Sequence, residues 1–591
     1  MQYVADNHLK HEERWGKAVA KMCKGLKPLV QSVCRRPEEL ATMQSGGFDV
    51  VIGNPPYVRQ ELLSPIKPYL QAHYKSFDGV ADLYTYFYER GFQMLKEGGL
   101  LSFIVTNKWL KSGYGEALRR FFAEETVFEQ ILDFGHAPIF EDADVFPSIV
   151  LVRKPDKGSD KGLNKELDKG LKPLVLTKPL ASTTVCPVPR GKLPGINLSQ
   201  YVAQNGYAVP WSRFTEKAWS LEHPAVDALM EKLRRVGAPL AEYAGVKPYR
   251  GVLTGFNEAF LIDTPTRDQL VRQDPKCAEI IKPFLRGQDI KRWSPEWAGL
   301  WMIFTRRGID IDAYPAIKTH LLNYREQLEP RPNDWDKKNN GEWPGRKPGP
   351  YKWYEIQDSI DYWRLFDGPK IFYQEIQFHP SYCLDEGTLV GNNKTFLIPV
   401  RDYFLLAVLT SPIIWWHNWR YFPHMKDEAL SPVGFRMESL PIARPTPATR
   451  AEAEQIVPRL IEITKANQGA TCEVLDWLKA ELRIDSPGNA LSDFAALDAD
   501  GFVAEARKRL PKTQTRGLSP LSSLSPRQVK DLHEVYRDYA QPIQTRDAEA
   551  ARLERRLSDL VNQAYGLTPD EIELMWKTAP PRMPGESIKG D

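Results

Sequence analysis

Phe48-Asp49-Val50-Val51-Ile52-Gly53-Asn54-Pro55-Pro56-Tyr57 is the stretch from which the fold of this 591-residue chain is read. Its first six residues are a short, β-branched run, the pattern of a buried parallel strand. Asn54 to Tyr57 follow directly, where an α/β sheet places its ligand-facing loops, at the carboxyl end of a strand. Two consecutive prolines fix φ and remove two amide donors, and each restricts the residue before it, Asn54 included. The loop is therefore stiff and offers carbonyls as acceptors.

Working outward, residues 80–97 carry Leu83, Tyr86, Phe87, Phe92 and Leu95 at helical spacing, with Gly98-Gly99 predicted as the C-cap. Leu100 to Val105 reads as a second buried strand, residues 115–128 as a helix, Ile131 to Phe134 as a third strand and Ser148 to Val152 as a fourth. Strand, helix, strand, helix, strand is α/β wiring. Residues 1–45 read as a helical lead-in ending at Gly46-Gly47, and 46–155 as the segment bearing the sheet. Residues 156–199 read as a linker or insertion, rich in Lys, Gly and Asp between Asp156 and Lys172. Residues 200–445 hold most of the Trp in a mixed, irregular pattern. Residues 446–591 are helical by pattern over 446–485 and 525–576, with a Ser/Pro-rich bridge between. The expected fold class is α/β: a partial Rossmann-like sheet, then a mixed α+β domain, then a helical C-terminal region.

Composition narrows the partners. Lysine plus arginine is 79 against 76 acids, a formal charge of +3. That excludes a polybasic protein recognisable by charge alone, and any nucleic-acid contact must come from a local positive field. Six cysteines without a C-x-x-C pair support neither a disulfide framework nor a zinc finger. No signal peptide is evident, and the apolar run Tyr403 to Trp416 is 14 residues long and broken by Pro412, too short to span a bilayer. The chain reads as cytosolic, without a membrane partner.

The loop chemistry is specific. The exocyclic amine of adenine, or an amide nitrogen, is a poor nucleophile because its lone pair is delocalised. An Asn side-chain oxygen and a rigid backbone carbonyl can each accept one amine hydrogen, holding the lone pair out of plane toward an electrophile. An aromatic ring at the fourth position can stack on a base, a contact worth about 1–3 kcal/mol. The plainer alternative is a Pro-Pro turn capped by Tyr. A chance N-P-P-aromatic match in a chain this rich in proline has odds on the order of one per cent.

These residues resemble the catalytic loop of the gamma-class, N6-adenine DNA methyltransferases of restriction–modification and phage-defence systems. In that resemblance Asn54, Pro55, Pro56 and Tyr57 are the catalytic loop. Asp82-Leu83-Tyr84 and the helix of Phe87 are similar to the segment walling the methyl-donor pocket, with Asp82 and Asn54 as donor contacts. Phe140 to Leu151 resembles the last catalytic motif, which makes Phe146 the ring that packs with Tyr57 against a flipped adenine. Gly251 to Asp263 and Ile280 to Ile290 look like parts of a TaqI-like target-recognition domain over 200–445. Ala564-Tyr565-Gly566-Leu567-Thr568 is similar to the helical end of long type IIG-like methylases. The resemblance implies S-adenosylmethionine as cofactor and double-stranded DNA as partner. Lys247, Arg250, Asn257, Lys291 and Arg292 are the candidate DNA contacts, and Arg306 and Arg307 lie in the same basic set. No metal is implied.

One family feature is missing. A donor-binding F-x-G-x-G turn is expected well before the catalytic loop, yet the 53 residues before Asn54 contain none. Asp133-Phe134-Gly135-His136 and Gly251 to Gly255 lack the spacing for a permuted order. Residues 46–155 are thus expected to be the C-terminal half of a methyltransferase domain. Either a separate upstream polypeptide would supply the rest or the gene start is truncated, and a sheet edge and core face over 48–152 should lie open. The alternatives are a DNA-specificity subunit without catalysis of its own, and a methyltransferase for RNA or a protein glutamine. The stripe Trp415, Trp416, Trp419, Tyr421 and Phe422 reads as core or interface rather than a stacking platform. Asp367, Glu375 and Gln377 only loosely resemble a nuclease D…E-x-K set, since the Lys is absent.

Overall fold

The computed structural model describes residues 46–135, 146–155, 182–188, 195–336, 341–425, 428–510 and 524–585. The expected lead-in over 1–45, the Lys/Gly/Asp-rich stretch and residues 140–145 of the Phe140–Leu151 motif lie outside the described residues. The chain divides into two compact units, Met1–Ala228 and Leu229–Asp591. It is mixed α/β, with a mixed sheet and many helices.

The first unit holds a six-stranded sheet. Its strands are β1 (Phe48–Gly53), β2 (Leu95–Thr106), β3 (Val127–Asp133), β4 (Pro147–Arg153), β5 (Ser182–Pro187) and β6 (Tyr207–Pro210), in the order β1-β2-β4-β3-β5-β6. β1 runs parallel to β2 and β3 to β5, while β4 is antiparallel to both β2 and β3. Helix α1 (Tyr84–Gln93) and helix α2 (Glu116–Glu125) join them. Tyr88, Phe92, Leu101, Phe103, Phe122, Phe128 and Ile131 are part of one buried cluster on one face of the sheet. Strand alternation is plain in β2, where Leu101, Phe103 and Val105 are buried and Leu100, Ser102 and Ile104 are only half-buried.

Two expectations need correction. Gly98-Gly99 does not cap the helix: α1 ends at Gln93, and both glycines lie inside β2, where the β1–β2 register shifts between Phe48 and Val50. A Cβ on Gly47 would sit 2.6 Å from the Met94 carbonyl, so this glycine, at φ +115°, is what lets β1 begin against the end of α1. Nor does the sheet stop near residue 155. β5 and β6 extend it into the stretch that spacing reads as linker and into the start of the next segment. Thr183 to Cys186 is too short a run to stand out by periodicity, and pairing with β3 makes it a strand.

β1 is an edge strand, pairing only with β2 among the described residues. It is less buried than its β-branched composition implies: Val50 is 55% and Ile52 79% exposed. Their register partners Leu100 and Ser102, and then Leu151, continue the same half-open face. The expectation of an open edge and face over 48–152 holds, among the described residues, at β1 alone: farther along the same face Leu132 and Cys186 are buried in a cluster with Phe134, Val188 and Val202.

The second unit contains two four-stranded sheets. One runs Val390–Gly391, Ile281–Leu285, Trp301–Ile303, Leu261–Ile262; the other Tyr382–Asp385, Lys370–Gln374, Thr395–Ile398, Tyr249–Arg250. A Cβ on Gly251 would lie 2.0 Å from the Asn392 carbonyl, and the close approach lets Val252 N donate to Gly391 O at 2.7 Å. Tyr403–Thr410 and Pro412–Tyr421 are separate helices because Pro412 can start a helix but not continue one; Ser411 caps the second. Among the described residues no helix is long and apolar enough to cross a membrane. Trp415 and Trp416 are fully buried and donate to Pro581 O and Thr578 Oγ1, so they are core, as expected, and they pin the C-terminal segment. Pro447–Leu482, Pro526–Ala564 and Pro569–Lys577 are the long helices expected there, each opened by a Thr or Ser N-cap and a proline in the first turn.

Candidate functional site

Four chain segments meet at one rim of the first unit's sheet. β1, β2 and β3 point the same way and end at Gly53, Thr106 and Asp133; β4, running opposite, begins beside them. Thr106 pairs with Pro147 and Asp133 with Ser148. Topology alone therefore brings the Asn54–Tyr57 loop, Asn107, Asp133 and Phe146 to the same rim.

Within the loop, Pro55 is buried and anchors it, while Asn54 and Pro56 are exposed. The Pro56 carbonyl accepts from Val58 N at 3.2 Å, and the Val58 carbonyl accepts from Leu83 N at 3.0 Å. Gln60 N donates to Asp82 Oδ1 at 3.1 Å. Two hydrogen bonds thus tie the loop's far side to the Asp82-Leu83-Tyr84 segment. Tyr57 is 37% exposed and meets the buried Tyr84 edge to face, with ring centroids 6.1 Å apart. The Tyr84 and Tyr114 hydroxyls are hydrogen-bonded at 3.0 Å. Partial burial pushes the Tyr57 phenol above its usual pKa, so it stays neutral and presents an aromatic face. Burial also raises the Asp82 carboxyl, against the pull of the Gln60 amide. Asp82 therefore first serves to hold the loop.

Asn107 is the residue that the sequence reading passed over. Its amide N–H donates to the Phe146 carbonyl at 2.7 Å, and its side-chain Nδ2 donates to Asp133 Oδ1 at 3.0 Å. One residue thereby binds the ends of β2 and β3 to the start of β4. The signal was available: Thr106-Asn107-Lys108 follows a strand just as Asn54 follows β1. Asp133 was weighed only as part of a glycine motif. Among the described residues no F-x-G-x-G turn lies at this rim.

The candidate DNA contacts in the second unit fall into different settings. Lys247 is exposed with its Nζ 5.8 Å from the Tyr249 ring, and Arg250 is exposed with Nε on the Asn393 carbonyl at 3.0 Å. Asn257 is exposed, though its Oδ1 accepts from Thr254 Oγ1 at 2.7 Å. Lys291 pairs with Glu296 at 3.5 Å. Arg292 is largely buried, 3.3 Å from Glu554 and over the Trp293 ring. Arg306 and Arg307 lie over the Trp363 and Tyr351 rings. The loose nuclease-like set is divided: Asp367 faces Lys282, Glu375 faces Lys394, and Gln377 is buried in backbone pairing with Leu430. Among the described residues no group of three or more His, Cys, Asp or Glu could hold a metal ion.

Residues 446–561 match a domain of unknown function. The chain is 28% identical over 371 residues to the type II methyltransferase M.PaeR7I of Pseudomonas aeruginosa, covering 61% of this chain and 58% of that protein. It is 24% identical over 461 residues to M.BstVI of Geobacillus stearothermophilus, covering 75% and 76%. The chain thus spans less than two thirds of the length of M.PaeR7I. Among solved structures, the type IIL restriction-modification enzyme MmeI in complex with DNA covers 90% of this chain and 56% of its own, at 13% identity and a TM-score of 0.41. The rim described above falls largely inside a family match: residues 6–140 are similar to the Eco57I restriction-modification methylase family.

Proposed function

We propose that this chain holds the target base in a DNA adenine-N6 methyltransferase of a restriction–modification system. The observation that carries the reading is the Asn54-Pro55-Pro56-Tyr57 loop at the carboxyl end of β1, on the same rim as Phe146. Asn54 Oδ1 and the Pro55 carbonyl each accept one hydrogen of the adenine amine, leaving its lone pair out of plane. Tyr57 and Phe146 hold the flipped ring, whose stacking offsets the few kcal/mol that flipping costs. The catalytic gain comes chiefly from positioning. S-adenosylmethionine supplies the methyl group. The proton leaves to water after transfer, because the methylated amine cation is strongly acidic, so no general base is needed.

The donor-binding strands add to the β1 edge, and an upstream polypeptide provides them. Exposed Val50 and Ile52 support this, since an apolar sheet face left in water calls for a cover. The second unit reads the duplex, through Lys247, Arg250, Asn257 and their neighbours. The missing donor turn favours a second reading, a DNA-specificity subunit without catalysis of its own. Labelled S-adenosylmethionine and duplex DNA separate the two, using the chain alone and with the product of the upstream reading frame. Label entering DNA in the mixture supports the enzyme. Sequence-specific DNA retention with no transfer in either sample refutes it in favour of the second reading.

A further inference from the structure

Arg306 and Arg364 lie over one ring: their guanidinium carbons are 4.6 and 5.2 Å from the Trp363 centroid. We infer that these two arginines read guanine edges in a DNA duplex and so set part of the recognised sequence. The inference rests on the reading of the second unit as the duplex-binding part, and not on methyl transfer.

The state of their forks singles them out. Arg267, Arg292 and Arg325 also lie over tryptophan rings, but each faces a carboxylate, of Asp268, Glu554 and Glu329 respectively. Arg307 lies over Tyr351 and donates to the Pro350 and Gln357 carbonyls at 2.5 and 2.6 Å. Arg346 is buried and spends its donors on backbone carbonyls, those of Thr254 and Glu355 among them. Among the described residues the guanidiniums of Arg306 and Arg364 make no hydrogen bond and no ion pair. Arg306 is half-buried and Arg364 exposed.

The ring beneath them is fixed. Trp363 packs against the buried cluster that holds Ile360 and Phe366, each 2% exposed. Ile360 has φ +39°, a conformation that a β-branched residue rarely takes, and its carbonyl accepts from Trp363 N at 3.1 Å. The Tyr362 hydroxyl donates to the Arg250 carbonyl at 2.8 Å, which joins this corner to a candidate DNA contact. Arg306 itself opens a tight turn, where Ile309 N donates to its carbonyl at 3.2 Å and Gly308 takes φ +75°. Arg307 clamps that turn from one side, and Gly308 N ties it to Glu355 Oε1 at 2.8 Å.

A phosphate asks only for positive charge, which the exposed Lys247 supplies on a flexible stem. A guanidinium held over a ring has given up rotamer freedom, and it suits a target whose two acceptors have fixed geometry. Guanine presents O6 and N7 to such a fork, whereas adenine sets an amino donor beside N7 and repels it. Lying 4.6 and 5.2 Å from the same centroid, the two guanidinium carbons are within about 10 Å of each other. At roughly 3.4 Å per base step, the guanines they read fall within about three steps.

The test is selection from a pool of randomised duplexes by the full chain without S-adenosylmethionine, with the bound fraction sequenced. The native chain should enrich sites carrying two guanines within about three steps. Arg306→Lys and Arg364→Lys keep the charge and lose the fork. Each should lower the preference for one guanine about tenfold, leaving the other positions and the salt dependence as they were. Native preferences in both variants, or a uniform weakening on every sequence, would overturn the inference, the latter in favour of phosphate contacts, while the duplex reading stands. A native chain that selects no sequence removes the duplex reading and this inference with it.

Discussion

Replacing Asn107 with alanine removes one hydrogen bond to a carboxylate, and the geometry sets what this costs. Nδ2 donates to Asp133 Oδ1 at 3.0 Å between two half-buried side chains, and Asp133 then keeps the Gly135 amide at 3.1 Å. A hydrogen bond to a charged group contributes about 1.5–3 kcal/mol, and partial solvent access places this one near 1.5. The main-chain bond from Asn107 to Phe146 survives the substitution, so the sheet should still form. What loosens is the joint between the ends of β2 and β3 and the start of β4 that carries Phe146. If the whole loss falls on the transition state, kcat/KM for methyl transfer drops about tenfold. The assay is methyl transfer in the reconstituted mixture with chemical unfolding alongside, for Asn107→Ala, Asp133→Asn and the double variant. A coupling of about 1 kcal/mol between the two sites is expected. Asn107→Ala at the native rate, or strictly additive effects, would refute the claim that this bond positions the rim.

Ile52→Glu should leave the chain's own stability within about 0.5 kcal/mol, because the side chain is 79% exposed, yet abolish assembly with the donor-binding partner; co-purification with Ile52→Glu intact would remove β1 as the docking edge. His417 is fully buried, with a pKa depressed to about 4 by burial, so it contributes stability above its ordinary 6.5 that is lost as pH falls from there toward 4. That loss should amount to about 3 kcal/mol in urea unfolding, and His417→Gln should flatten it; an unchanged pH profile would show the ring is not the source. Lys370 is fully buried with Nζ 2.5 Å from Asp385 Oδ2. Lys370→Met strands that carboxylate, although it keeps the amides of Gly387, Thr388 and Leu389. A loss near 3 kcal/mol is expected, the low end for a broken buried pair; less than 1 kcal/mol would show that the amides alone satisfy Asp385.

The rim was largely legible because strand and loop chemistry are local. A β-branched run followed by Asn-Pro-Pro-Tyr states both its conformation and its place on a sheet. The same holds for β2 to β4 and for the long C-terminal helices, whose caps and periodicity are written in sequence. What escaped was set by tertiary pairing. Gly98-Gly99 looks like a helix cap until β1 is alongside, and Thr183 to Cys186 is a strand only because β3 offers an edge. Asn107's place at a strand end was legible, but its role was not, because that role lies in joining three strand ends distant in sequence. Arg292 was singled out as basic, but its burial against Trp293 and Glu554 depends on a helix more than 250 residues away.

The central claim is that Asn54 holds an adenine amine for methylation, and nucleoside analysis of the DNA product tests it most directly. Duplex treated with S-adenosylmethionine, this chain and its upstream partner should yield N6-methyladenine. Asn54→Ala should yield none while binding the duplex as tightly as before. Methylated cytosine, methylation of protein instead of DNA, or N6-methyladenine formed undiminished by Asn54→Ala would contradict it.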